Sequence, residues 1–153
     1  MVTSKSITVC LGLIVQLIAC ENTNLDKGTL TEKIEMKEQN DLAKVIQLVL
    51  EHPDLQQYFH VDTLPERKPL IILKNAFFSQ PPSLVMFGAP VAFRTVQELQ
   101  EDNKPYIEFV NLKLDQGRAN VEFHYPPEGV LGNALLQKEQ ETWTIETFSI
   151  SEE

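Results

Sequence analysis

The first hydrophobic feature of the chain is a run rather than a period. Ile7 to Ala19 is broken only by Gln16 and, weakly, by Thr8, and Lys5 stands before it. As a helix this run would extend roughly 20 Å at 1.5 Å per residue. A bilayer core is about 30 Å thick, so the run is too short for a transmembrane anchor. A short apolar segment behind a positive charge is the pattern of a signal peptide, here residues 1–19. Glu21 to Glu38 follows, with only Leu25, Leu30, Ile34 and Met36 as larger apolar residues. With residue 20 this stretch predicts a flexible tether (20–38), turning helical near its end and reaching roughly 25 Å as coil.

A helical period begins at Asp41. Leu42, Val45, Ile46, Val49 and Leu50 share one face of a helix that Asn40 or Asp41 can cap and Pro53 must end. Asp54–Phe59 predicts one or two further turns, with His52 at the C-terminus of the first helix and His60 at the end of the second. From Leu70 the period changes. Leu70–Leu73 is a short continuous apolar run, consistent with a strand buried on both faces. Leu84–Phe87 and Ala89–Arg94 read as extended, and Thr95-Val-Gln-Glu98 as a capping box for a short helix to about Asp102.

The last third alternates. In Tyr106–Leu114 the apolar phase slips between Phe109 and Val110, and a β-bulge there would put Ile107, Phe109, Val110, Leu112 and Leu114 on one face. Asp115–Arg118 predicts a hairpin turn, and Ala119–Tyr125 a strand with Asn120, Glu122 and His124 on its polar face. Pro126–Gly129 breaks that strand, Val130–Lys138 is the next, and Trp143–Ile150 is the last. Short turns between successive strands imply an antiparallel meander. The expected fold is a single α+β domain over residues 39–153, with an N-terminal amphipathic helix packed on a bent antiparallel sheet.

Charge narrows the choice of partners. The chain holds 13 Lys+Arg against 22 Asp+Glu, a formal charge of −9. That balance excludes the basic face a nucleic-acid binder needs, and it disfavours electrostatic docking on an anionic membrane. Two cysteines, Cys10 and Cys20, are too few for a disulfide scaffold or a cysteine zinc site. No metal-binding, phosphate-loop or nucleophile-elbow motif occurs, and no cofactor is implied.

Leu17-Ile18-Ala19-Cys20 resembles the lipobox of bacterial lipoproteins. The resemblance implies diacylglycerol on the Cys20 thiol, cleavage before Cys20, acylation of the new N-terminus and location in the cell envelope. Absence of Asp after the cysteine favours the outer membrane by the same analogy. Two or more acyl chains hold a protein stably on a bilayer, so an acidic domain needs no basic patch. Cleavage would remove Lys5 and no acid, leaving 12 basic and 22 acidic residues and a charge of −10. A leading helix on a bent sheet resembles the cystatin-like and nuclear-transport-factor-2-like folds. Ala119–Gly132, Leu136–Lys138, Trp143–Ile145 and the final Ser-Glu resemble the C-termini of small uncharacterised lipoproteins of Bacteroidetes-type bacteria.

Two roles fit. A non-catalytic module that binds an envelope protein would present an exposed patch around residues 125–130, with Tyr125 and Glu128. A binder of small apolar ligands, or an enzyme of the nuclear-transport-factor-2-like type, would hold a cavity between helix and sheet. Phe109, Phe123, Tyr125 and Trp143 would line it, with polar groups such as His60 or Glu108. His124, paired with Glu122 on the polar sheet face, completes the candidates. The first role is preferred, because nothing in the sequence assembles a nucleophile with its base. Mass spectrometry of the membrane fraction is expected to find Cys20 acylated, and Cys20→Ala to release or stall the chain. A mature form that is soluble and lacks Cys20 would refute lipidation.

Overall fold

The computed structural model describes residues 26–153. The signal segment, Cys20 and residues 21–25 lie outside the described residues. The elements are α1 (Asp26–Leu50), α2 (Pro53–Phe59), β1 (Ile71–Leu73), β2 (Val85–Met86), β3 (Ala89–Pro90), β4 (Ala92–Arg94), α3 (Val96–Asp102), β5 (Glu108–Asp115), β6 (Arg118–Tyr125), β7 (Val130–Glu139) and β8 (Thr142–Glu152). β5 to β8 form the expected four-stranded antiparallel meander in sequential order. The fold is α+β.

Helix α1 starts well before Asp41, so much of the stretch read as a coil tether is helical. Burial explains why sequence pattern located only its second part. Residues 35–40 are all exposed, whereas Val45, Ile46, Val49 and Leu50 are fully buried. The upstream residues are mostly strong helix formers, and those at 35–40 present no buried stripe. Once the packed half is nucleated, extending it costs little. His52 does not end α1 as expected. It is the N-cap of α2, where its Nδ1 accepts from the Asp54 N–H at 3.3 Å. Its ring stacks on Phe148, centroids 3.7 Å apart.

The run Leu70–Leu73 is buried because β1 is an interior strand. It pairs in parallel with β4, and an Ile72–Ile107 bridge joins it to the start of β5. Ile72 enters the main core, while Ile71 and Leu73 pack with Leu99 of α3 on the other side. The capping box of α3 forms as expected: the Thr95 N–H donates to Glu98 at 2.7 Å, and the Glu98 N–H donates to the Thr95 hydroxyl. The Thr95 N–H and hydroxyl, with Arg94, hold the Glu98 carboxyl below its ordinary value.

The register of β5 on β6 shifts between Phe109 and Asn111, as the phase slip predicts. Val110 is the bulged residue and is 50% exposed, so it does not join the inner face as expected. Asn75 holds the bulge, its Nδ2 donating to the Phe109 carbonyl at 2.8 Å while its Oδ1 accepts from the Phe77 N–H. A second shift lies opposite Leu135 and Leu136, where Glu146 is extra in β8. It carries Trp143, Ile145, Phe148 and Ile150 onto the same core.

That core is aromatic at its centre. Tyr125 meets Phe59 edge-on at 5.2 Å, and Phe123 lies 6.4 Å from Phe109 and 5.8 Å from Phe148. Phe123 pairs directly with Gly132 across β6 and β7, and its ring covers the glycine. A Cβ at residue 132 would come within 2.0 Å of that ring. Because Phe123 is 1% exposed, its ring has nowhere to go. Gly132→Ala is therefore expected to destabilise the domain by about 1–3 kcal/mol through overpacking, measured by urea unfolding. Adding Phe123→Leu should cost less in the Gly132→Ala background than in wild type.

Candidate functional site

The four ligand or partner candidates fall in three separate places. Trp143 lies beneath α1 and is 6% exposed. Its Nε1 donates to Asp41 Oδ1 at 3.2 Å. Lys138, paired directly with Trp143 across β7 and β8, donates from Nζ to both Asp41 oxygens at 2.9 and 2.8 Å. The same ammonium lies 3.2 Å from Glu141 and 5.9 Å from the Trp143 ring centroid. Burial pushes the Asp41 carboxyl up, but hydrogen bonds from Lys138 and Trp143 outweigh it and hold the group below its ordinary value. The Asp41 hydrogen bond raises Lys138. Both partners are thus held charged, and their donors and acceptors are committed to each other. This cluster fastens helix to sheet.

Tyr125 and Glu128 form the second place. Tyr125 is buried, and burial pushes its phenol up against the pull of Arg67. The turn Pro126–Glu128 is not the exposed patch expected of it. Tyr125 and Val130 are buried, and only Pro127 is freely exposed. Glu128, expected at a free tip, sits 2.7 Å from Arg67 Nη1 and 3.9 Å from His60 Nε2. Arg67 also donates to the carbonyls of Tyr58 and Phe59, so it closes the C-terminus of α2. The third place is the outer face of the sheet. His124 stands there half-buried between Glu108 and Leu131, its cross-strand neighbours. Glu122 is bound by Asn111 at 3.1 Å.

The expected cavity wall is also divided. Phe109, Phe123 and Tyr125 are sealed in the core, each no more than 1% exposed. Trp143 instead borders a groove of about 610 Å³ between α1 and the β5–β6 hairpin. Its floor is Leu112, Leu114, Phe77 and the edge of Trp143; its rims carry Glu35 and Glu38 on the helix and Asp115 on the hairpin. Gln39 donates to Gln80 at 2.6 Å and ties helix to the loop on one wall. A shallower depression of about 530 Å³, flanked by Leu48 and Leu84, lies on the other side of the helix and shares Trp143.

Sequence reading missed this groove, although Trp143 belongs to it. Glu35 and Glu38 fall in the stretch whose pattern predicts a tether, and Leu112 and Leu114 on the face that predicts core. The one available signal was the pair Phe77-Phe78, of which Phe78 is fully buried and Phe77 is 37% exposed. Among the described residues, no three His, Cys, Asp or Glu are placed to hold a metal ion, and no helix is long and apolar enough to cross a membrane. Comparison of the chain with protein-family models, with curated proteins and with solved structures finds no match.

The Asp41–Lys138 pair has a defined pH signature. A carboxyl held low in the fold adds stability that is present above its unfolded value and lost as pH falls through its folded value. An ammonium held high adds stability that is present below its unfolded value and lost as pH rises through its folded value. The Tm difference between wild type and Asp41→Asn is thus expected to be widest from about pH 5 to pH 10. It should narrow on further acidification and again on strong alkalisation. A difference independent of pH, measured by thermal unfolding across this range, would count against the charged pair.

Proposed function

We propose that the chain is a lipid-anchored protein of the cell envelope whose folded domain is a non-catalytic protein-interaction module. Anchoring rests on the lipobox-like Leu17–Cys20 and the short apolar run before it. By the lipoprotein analogy the outer membrane is the preferred site. Among the described residues one long helix lies on an antiparallel meander, and we read this as cystatin-like rather than nuclear-transport-factor-2-like.

The observation that supports an interaction role best is the groove beside α1. It is open to solvent and has an apolar floor between polar rims. Protein-binding sites share this plan of apolar centre and polar edge. Its position moves the contact surface away from the turn at residues 125–130, whose carboxylate is occupied by Arg67. Small apolar ligands prefer enclosed pockets that bury most of their surface, and an open groove suits a length of polypeptide better.

Photo-crosslinking in living cells tests this reading. A benzophenone side chain at Phe77, on the floor, and one at Gln116, in the hairpin turn, both face the groove. Both are expected to give the same protein adduct, while the probe at Leu131 on the outer sheet face gives none. Adducts from position 131 alone would move the contact surface to the other face. A small-molecule adduct from positions 77 and 116 would replace the module with a ligand binder.

A further inference from the structure

We infer that the groove receives a cationic amphipathic segment of a partner protein, one that sets lysine or arginine beside apolar residues. This deepens the interaction-module reading and depends on it. Charge is the deciding feature. The groove lining contains Glu35, Glu38, Asp41 and Asp115 and no Lys, Arg or His. Asp41 is already matched by Lys138. Among the described residues, Glu35, Glu38 and Asp115 take part in no ion pair, although Lys37 on the same helix does pair, at 3.6 Å, with Glu141. All three carboxylates are exposed.

They also stand on opposite rims. Glu35 and Glu38, three residues apart on α1, share a helix face, and Asp115 closes the hairpin across the floor. Leu112, Leu114 and Phe77 lie between. Carboxylates flanking a low-dielectric floor focus a negative potential along it. A segment whose apolar side chains cover the floor would direct its cations to both rims. A second copy of this chain is disfavoured, because it brings a formal charge of −9 to the same place. An anionic lipid or phosphate is disfavoured for the same reason.

Trp143 makes the inference directly measurable, since it is the single tryptophan of the chain and borders the groove. The full chain in non-ionic detergent is titrated with a Trp-free peptide of leucine and lysine. The expected result is a saturable change in Trp143 emission, weakened by salt as the Debye length falls to about 3 Å near 1 M. A leucine–glutamate peptide of equal length should give none. The triple variant Glu35→Gln, Glu38→Gln, Asp115→Asn should weaken binding about tenfold. Glu101→Gln on α3 should leave it unchanged. Unaltered Tm in the triple variant keeps the comparison about charge.

Three outcomes overturn the inference. They are constant emission with the lysine peptide, equal binding of the two peptides, and binding of oligolysine without leucine as tight as that of the amphipathic peptide. If any of these occurs while positions 77 and 116 still crosslink one protein, the module reading stands and its partner is not a cationic amphipathic segment. If the crosslinks fail as well, the module reading falls with it.

Discussion

Asp41 is the point on which the helix and the sheet agree. It accepts hydrogen bonds from Lys138 on β7 and Trp143 on β8, two neighbouring strands. Its place in the sequence separates an exposed stretch of α1 from a packed one. Residues 35–40 before it are exposed, and Val45, Ile46, Val49 and Leu50 after it are sealed against the sheet. Apolar contact alone is non-directional and would tolerate sliding by a turn. A carboxylate that must meet two donors at fixed strand positions does not. The same contact sets the groove, because it determines how far Glu35 and Glu38 stand from the β5–β6 hairpin.

The sheet reaches the helix only because it bends twice. One bulge ejects Val110 from β5 and the other ejects Glu146 from β8. Each re-phases its strand so that apolar residues of opposite parity serve one core. The carbonyl of Phe109, at the first bulge, is bound by Asn75 from the segment before β2. Between the bends, Gly132 leaves room for the Phe123 ring to lie flat over β7. The covered glycine thus completes a chain of rings from Phe59 through Tyr125 and from Phe109 through Phe123 and Phe148 to His52.

Much of this is legible in the sequence alone. The 3.6-residue period from Leu42 to Leu50, the capping box at Thr95 and the phase slip at Phe109 each encode a local structure by local chemistry. The equivalent slip between Trp143-x-Ile145 and Phe148-x-Ile150 is recognisable only once the register of β8 is known. Two errors share one cause. The first half of α1 was read as coil, and Val110 as core, because periodicity records burial. A helix turn facing water and a residue at the crest of a bulge leave no periodic trace.

Most element types, their order and the inward face of β6 were determined by the sequence itself, since alternation and periodicity act between near neighbours. Partnerships across the chain were decided only by the tertiary structure. Nothing near Arg67 in sequence names Glu128, and nothing near Asp41 names Lys138 or Trp143. Such pairs depend on where two elements come to rest, and that depends on the summed packing of the domain. The groove belongs to the same class: its helix rim and its hairpin rim are about eighty residues apart, and only the bent sheet beneath α1 brings them face to face.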